Sequence, residues 1–237
     1  INKFEKKLGS KFWPGPLTII LKKKKNSKIS KLVSNNSTLV GCRIPGNKLA
    51  KKLITLFDLP IAAPSANLSE RTSVTNIMDI DPILVKKIFV LKDKQSSHGL
   101  ESTVVRIDTN NEIEVLRYGS ITVEELNKYA KVKIKKKKSS ISPGNLKKHY
   151  STLKPIRMNA KRILKNEGLL NFGNNKLKSK IINLNLSNKK NLNEAAKNFY
   201  HYLHKLDQSR CKKIAVVEIP DKGLGKTIND RLRRAIK

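Results

Sequence analysis

Hydroxyls, one amide and two arginines stand near the ends of apolar runs in this sequence, and residues of these types could act together. "PIAAPSANLSERTS" (Pro60 to Ser73) offers Ser65, Asn67, Ser69 and Ser73 as neutral donors and acceptors. Its Ala62, Ala63 and Ala66 are small enough for a bound molecule to approach the backbone. Upstream, "TLVGCRIP" closes on Arg43; downstream, Ser102 and Thr103 open "STVVRI" and Arg117 ends "EIEVLR". Leu53 to Val85 contains no lysine, although the chain carries 51 Lys and Arg against 18 Asp and Glu. Guanidinium forks grip carboxylate or phosphate bidentately, while hydroxyls and amides take the remaining oxygens or a base edge. Flexible, strongly hydrated lysines would compete for the same anions without orienting them. If these strand ends converge, the hollow suits a nucleotide together with a small carboxylate. The bland alternative stays open: serine-rich turns after strands are common, and Arg43 and Arg117 can equally be surface partners of Glu.

Other chemistries fit less well. "GLEST" around Ser102 lacks the G-x-S-x-G elbow, and His98 has no orienting carboxylate at a diagnostic spacing. "PDKGLGKT" (Pro220 to Thr227) sits where a P-loop would, but Pro220 occupies the place of its first glycine. Proline brings no N–H to a phosphate and cannot make that turn, so a plain Gly-rich connection is expected. No carboxylate cluster marks a metal cage.

Two α/β domains would position these residues. "FWPGPLTIIL" reads as a turn feeding a buried strand, "TLVGCRIP" as the next strand, and Gly46 to Asp58 as a helix with Leu49, Leu53, Leu56 and Phe57 on one side. "LPIAAPSA", "KIFVL", "STVVRI" and "EIEVLRYG" read as further strands, with helices near Asp81 and from Thr122 to Ala130. A lysine run and "SSISPGNLKKHYSTLKP" form an aperiodic linker. Beyond it, "KIINLNLS", a helix from Asn191 to Leu206, "KKIAVVEIP" and a helix from Thr227 to Ile236 alternate as in a small parallel sheet.

The formal net charge of +33 suggests nucleic acid. Lysine far outnumbers arginine, however, and the background is rich in Asn and Ile, which reads as a codon bias producing solvated lysine faces. Weak, salt-sensitive adhesion to RNA follows from the charge alone. Cys42 and Cys211 are isolated in apolar contexts and read as reduced core thiols of a cytoplasmic protein. No apolar run reaches the length of a membrane span.

Seven motifs, "KFWPGPLTIIL", "RIPGN", "PIAAPSANLS", "GLESTVV", "LRYGSIT", "SPGNLKKHYS" and "GLGKTINDRLRRA", occur in an order that resembles the two-domain YrdC-type L-threonylcarbamoyl-AMP synthases over essentially the whole chain. The resemblance implies an α/β protein. A YrdC-like twisted domain at residues 1–134, incomplete at its N-terminus, precedes a linker and lid at 135–157 and a small Rossmann-like three-layer domain at 158–237. It implies condensation of L-threonine, bicarbonate and ATP to threonylcarbamoyl-AMP and pyrophosphate, the first step of the tRNA modification t6A. A downstream t6A-forming enzyme would be the partner, and Mg2+ would ride on the ATP. By the same resemblance Arg43, Ala63 and Ser102 would line the threonine end, and Ser65, Asn67, Ser73 and Arg117 the ATP end. His149 and Tyr150 would belong to the lid. No residue acts as a covalent nucleophile.

Two departures stand out. Where the family has a Thr four residues before Arg43, this chain has Leu39, with Thr38 adjacent. The family also places a Lys-x-Arg element and a threonine-contacting Thr upstream of "FWPGPLT", and this chain starts at Ile1 just before that point. The expectation is therefore a fragment lacking part of its site and inactive alone. The alternative is a non-catalytic RNA-binding or nucleotide-binding relative.

Overall fold

The computed structural model describes residues 1–68, 70–91, 93, 96, 98–134 and 150–236. They form two compact units, Ile1–Pro64 with Glu101–Leu146, and Ser65–Leu100 with Lys147–Lys237. The first unit opens with α1 (Lys3–Phe12), β1 (Leu17–Lys22), β2 (Leu39–Cys42) and α2 (Lys48–Phe57). The chain then gives the short α3 (Pro82–Val85) to the second unit and returns with β3 (Thr103–Ile107), β4 (Ile113–Arg117), α4 (Val123–Asn127) and β5 (Val132–Ile134). Residues 65–100, which the sequence reading gives to the first domain, therefore pack with the second unit.

The first unit is built on a five-stranded mixed sheet of order β2-β1-β3-β4-β5. Alternation along β1 explains its two faces. Leu17, Ile19 and Leu21 enter one core with Leu8 of α1, Leu126 of α4, and Val105, Ile107, Ile113 and Val115. Ile20 looks the other way and joins Val104 and Leu116 in a small apolar floor, against which Leu39 packs. Both helices on the main core carry a capping box, Asn2 with Glu5 and Thr122 with Glu125, which satisfies orphan N–H groups at their first turns. Helix α2 forms as expected, yet Leu53, Leu56 and Phe57 on its apolar side are exposed.

The second unit holds a four-stranded parallel sheet with β6 (Ile156–Arg157), β7 (Glu167–Asn171), β8 (Asn183–Asn185) and β9 (Lys213–Val216), in the order β6-β9-β7-β8. Helix α5 (Leu192–Gln208) buries Ala195, Ala196, Phe199, Tyr200, Leu203 and Leu206, the stripe that the 3.6-residue period predicts. It packs on β7 and on α6 (Leu224–Ala235). Gly168 of β7 allows this approach, because a Cβ there would lie 2.8 Å from Leu206 and 2.9 Å from Ile182.

Five elements differ from expectation. "LPIAAPSA" is not a strand, since Pro60 and Pro64 have no N–H for a ladder. "KIFVL" is not one either; Ile88, Phe89 and Leu91 remain exposed. Conversely β5, β6 and β7 form where no strand was expected. Strand β7 is buried at every position and so shows no alternation.

Candidate active site

In the first unit the expected residues Arg43, Ser102 and Arg117 are drawn together around one further side chain, Thr18. The ladders align them: Ile19 pairs with Cys42, so Arg43 continues the line opposite Thr18. Thr18 pairs with Val104, and Val104 with Arg117. Residues paired across a sheet project to the same face. The row therefore lies at the end of the floor made by Ile20, Val104 and Leu116.

Hydrogen bonds order this row. Arg117 Nη2 donates to Ser102 O at 2.9 Å and to Ser102 Oγ at 3.1 Å. Its Nε adds a 3.3 Å bond to the same carbonyl. A guanidinium only donates, so Ser102 Oγ accepts from Arg117, and the same oxygen shares a hydrogen bond with Thr18 Oγ1, 2.8 Å away. Arg43 stays solvent-accessible, but its pKa lies below the ordinary arginine value, through partial desolvation first and the like charge of Arg117 second. Two guanidinium groups held near one another beside donor hydroxyls form a receptor for anionic oxygens.

The backbone that carries the row is clamped from two sides. Ser120 N and Oγ donate to Glu101 O at 2.9 and 3.1 Å. Thr103 Oγ1 donates to Ile121 O at 2.6 Å and accepts from Ile121 N at 2.9 Å. Between them Gly119 lies so close that a Cβ would meet Thr103 N at 2.3 Å and Ser102 C at 2.4 Å. On the other side Gly15 N donates to Ile44 O at 2.8 Å and ties the exit of β2 to the Pro-Gly-Pro turn. Ala63 is exposed, in irregular chain after α2.

The remaining expected residues belong to the second unit. Ser65 is exposed; Asn67 and Ser73 are half-buried. Asn67 Nδ2 donates to Leu68 O at 2.9 Å and to Arg71 O at 3.1 Å, which curls the loop behind Ser65. His149 lies outside the described residues. Tyr150, expected in a lid, is 1% exposed in the core of the second unit, its ring 4.5 Å from Arg231 Cζ and 6.2 Å from Tyr200. The chain after it is equally fixed: Ser151 bridges Arg71, and Leu153 and Lys154 N–H donate to the Asp207 carboxylate, each at 2.9 Å.

Comparison with known proteins decides the family. A family model described as "Telomere recombination" matches residues 1–119, and one described as "Threonylcarbamoyl-AMP synthase, C-terminal domain" matches 121–236. The Bacillus subtilis threonylcarbamoyl-AMP synthase is 30% identical over 97% of this chain and 72% of its own length. The chain belongs to the threonylcarbamoyl-AMP synthase family. Membership places it among enzymes, as a transferase. The Pyrococcus abyssi threonylcarbamoyl-AMP synthase is 28% identical over 96% of this chain and 72% of its own. A crystal structure of P. abyssi Sua5 complexed with L-threonine aligns with a TM-score of 0.86 at 25% identity, covering 99% of this chain and 74% of that one. A second P. abyssi Sua5 structure, with a His and the adjacent Tyr replaced by Ala, shares the fold at a TM-score of 0.80 and 24% identity.

Two features resolve questions that the motifs raised. The Gly-rich stretch before α6 is a tight connection, since a Cβ on Gly225 would lie 2.0 Å from Pro220 O. Both cysteines are free thiols, and burial pushes the Cys42 thiol pKa up. Thr18 is the residue that sequence reading missed. Its signal was present as a lone hydroxyl within an apolar strand, one strand away from Arg43. No helix among the described residues is long and apolar enough to cross a membrane.

Proposed function

We propose that this chain binds ATP, L-threonine and bicarbonate in the cytoplasm and forms L-threonylcarbamoyl-AMP with release of pyrophosphate, supplying a downstream t6A-forming enzyme. The Arg43–Thr18–Ser102–Arg117 row carries the reading, and the threonine named for the P. abyssi Sua5 structure supports the substrate. Arg43 takes the threonine carboxylate, with Ser102 and Ala63 beside it. Arg117 faces the nucleotide phosphates, and Ser65, Asn67 and Ser73 hold the rest of the ATP. His149 belongs to the lid that keeps water out, and the buried Tyr150 anchors the end of that segment.

In the first step the threonine ammonium gives up a proton to solvent, and the free amine attacks the bicarbonate carbon, expelling water to give the carbamate. A carbamate oxygen then attacks the α-phosphorus, and the bond to the β-phosphate oxygen breaks as pyrophosphate leaves. Neither step needs a protein nucleophile. Positioning and charge neutralisation by the guanidinium pair are sufficient roles for the protein. Mg2+ enters as part of the MgATP substrate, which suits a row made of hydroxyls and guanidinium groups rather than carboxylates. Contact with tRNA is confined to weak, salt-sensitive adhesion.

The test adds the substrates singly and together. Pyrophosphate should appear only when L-threonine, bicarbonate and MgATP are all present; equal release without threonine overturns the proposal. By calorimetry Arg43→Ala should weaken threonine binding by about 1.5–3 kcal/mol, the scale of a hydrogen bond to a charged group. An unchanged threonine affinity removes Arg43 from its assigned role.

A further inference from the structure

Helix α5 presents two faces. Its apolar stripe closes the core of the second unit, while Lys197, His201 and His204, spaced four and three residues apart, share a different flank. Along that flank lies residues 65–100, the segment that carries Ser65, Asn67 and Ser73. Near one end Gly99 rests on the helix backbone so closely that a Cβ would meet Ala196 O at 2.2 Å and Lys197 Cα at 2.4 Å. One turn on, His201 Nδ1 donates to Asp79 Oδ2 at 2.9 Å, with the Asp79 side chain 6% exposed. After a further three residues, His204 Nε2 lies 3.2 Å from Ser73 O and 3.1 Å from Thr72 Oγ1, and Thr72 is 4% exposed. A carbonyl can only accept, so Nε2 carries its proton and shares it between Ser73 O and the Thr72 hydroxyl.

We infer that His204, supported by His201, is a positioning residue for the nucleotide loop: it fixes the Thr72–Ser73 backbone against α5 within the second unit, and so sets where Ser73 and the Asn67 turn present their groups to ATP. The inference rests on the proposed ATP role of this loop. The curl of Asn67 onto Arg71 O and the bridge from Arg71 to Ser151 extend the same fixation to the residues before Thr72. The helix thereby contributes to ATP recognition without touching ATP.

The experiment compares His204→Ala, His204→Gln and His201→Asn with the unsubstituted chain. Gln places an amide N–H where Nε2–H stood, and Asn one where Nδ1–H stood. MgATP and L-threonine affinities are measured separately by calorimetry, and amide hydrogen exchange is followed at Arg71 and Ser151 in the unliganded protein. His204→Ala should weaken MgATP binding roughly three- to tenfold, as loss of a neutral hydrogen bond implies. It should leave threonine affinity unchanged, speed exchange at Arg71 and Ser151, and leave α6 protected. His204→Gln and His201→Asn should retain most of the MgATP affinity. Equal MgATP affinity in His204→Ala and the unsubstituted chain overturns this inference alone, and so does His204→Gln failing to bind better than His204→Ala. Absence of MgATP binding by the unsubstituted chain removes the ATP role of the loop, and this inference with it.

Discussion

Two pairs of arginines, one in each unit, keep different company, although the first unit also has the acid-paired Arg106, 2.6 Å from Glu114. In the second, Arg157 grips the buried Glu167 with two bonds, Nε to Oε1 at 2.9 Å and Nη2 to Oε2 at 2.6 Å. Arg231, 0% exposed, donates to Asp230 Oδ2 at 2.5 Å and lies over the Tyr150 ring. Each of these charges has an acid beside it. In the first unit Arg117 is held by a hydroxyl and a carbonyl of Ser102, and Arg43 feels it as a like charge. Two like charges near one another repel, so this contact works against the stability of the fold. A bound anion would relieve that repulsion, whereas the acid partners of Arg157 and Arg231 are already in place.

Trp13 is the only tryptophan and belongs to the first unit, so its fluorescence reports that unit while circular dichroism reports both. The largest effect should come from Gly119→Ala. Its Cβ would strike backbone atoms, which cannot rotate away, and the expected cost is about 3 kcal/mol, read as an earlier Trp13 transition in denaturant. A transition that does not move would mean that the clamp over Ser102 is slack. Glu167→Gln should follow at about 2 kcal/mol, less than for a fully buried pair because Arg157 can rehydrate. It should shift the circular dichroism transition and leave that of Trp13 alone; a shared shift would erase the contrast between the units.

Acid sharpens the same point. The Arg157 hydrogen bonds hold the Glu167 pKa below its ordinary value. This stabilisation is full above the unfolded-state pKa, roughly 4.3, and is lost as pH falls through the lower folded-state value. The unsubstituted protein should therefore lose stability more steeply below that pH than Glu167→Gln, and parallel pH profiles would refute the assignment. The smallest effect is expected for Thr18→Val, which keeps shape and removes one hydroxyl, at about 1 kcal/mol or less of stability. Its threonine affinity should fall more than its stability does; the reverse order would make Thr18 a packing residue.

Much of the first sheet was legible in the sequence. "LTIIL" and "STVVRI" announce strands, and Arg43, Ser102 and Arg117 do stand at strand ends. The convergence of these residues with Thr18 was less visible, because it depends on the parallel pairing of β1 with β3 across more than eighty intervening residues. Residues 65–100 were harder still. They join the second unit through Thr72 with His204 and Asp79 with His201, polar pairs more than 120 positions apart that leave no periodic trace. Tyr150 shows the same limit. The family resemblance put it in a lid, whereas a buried guanidinium and a neighbouring tyrosine fix it in a core.

That interleaving has a practical consequence. Because 65–100 packs with the second unit but is spliced into the first at both ends, a break engineered between Ile134 and Tyr150 would give two polypeptides that still purify as one particle. For the same reason the C-terminal half cannot be lifted out as a cassette: residues 150–236 expressed alone would leave one side of α5 bare.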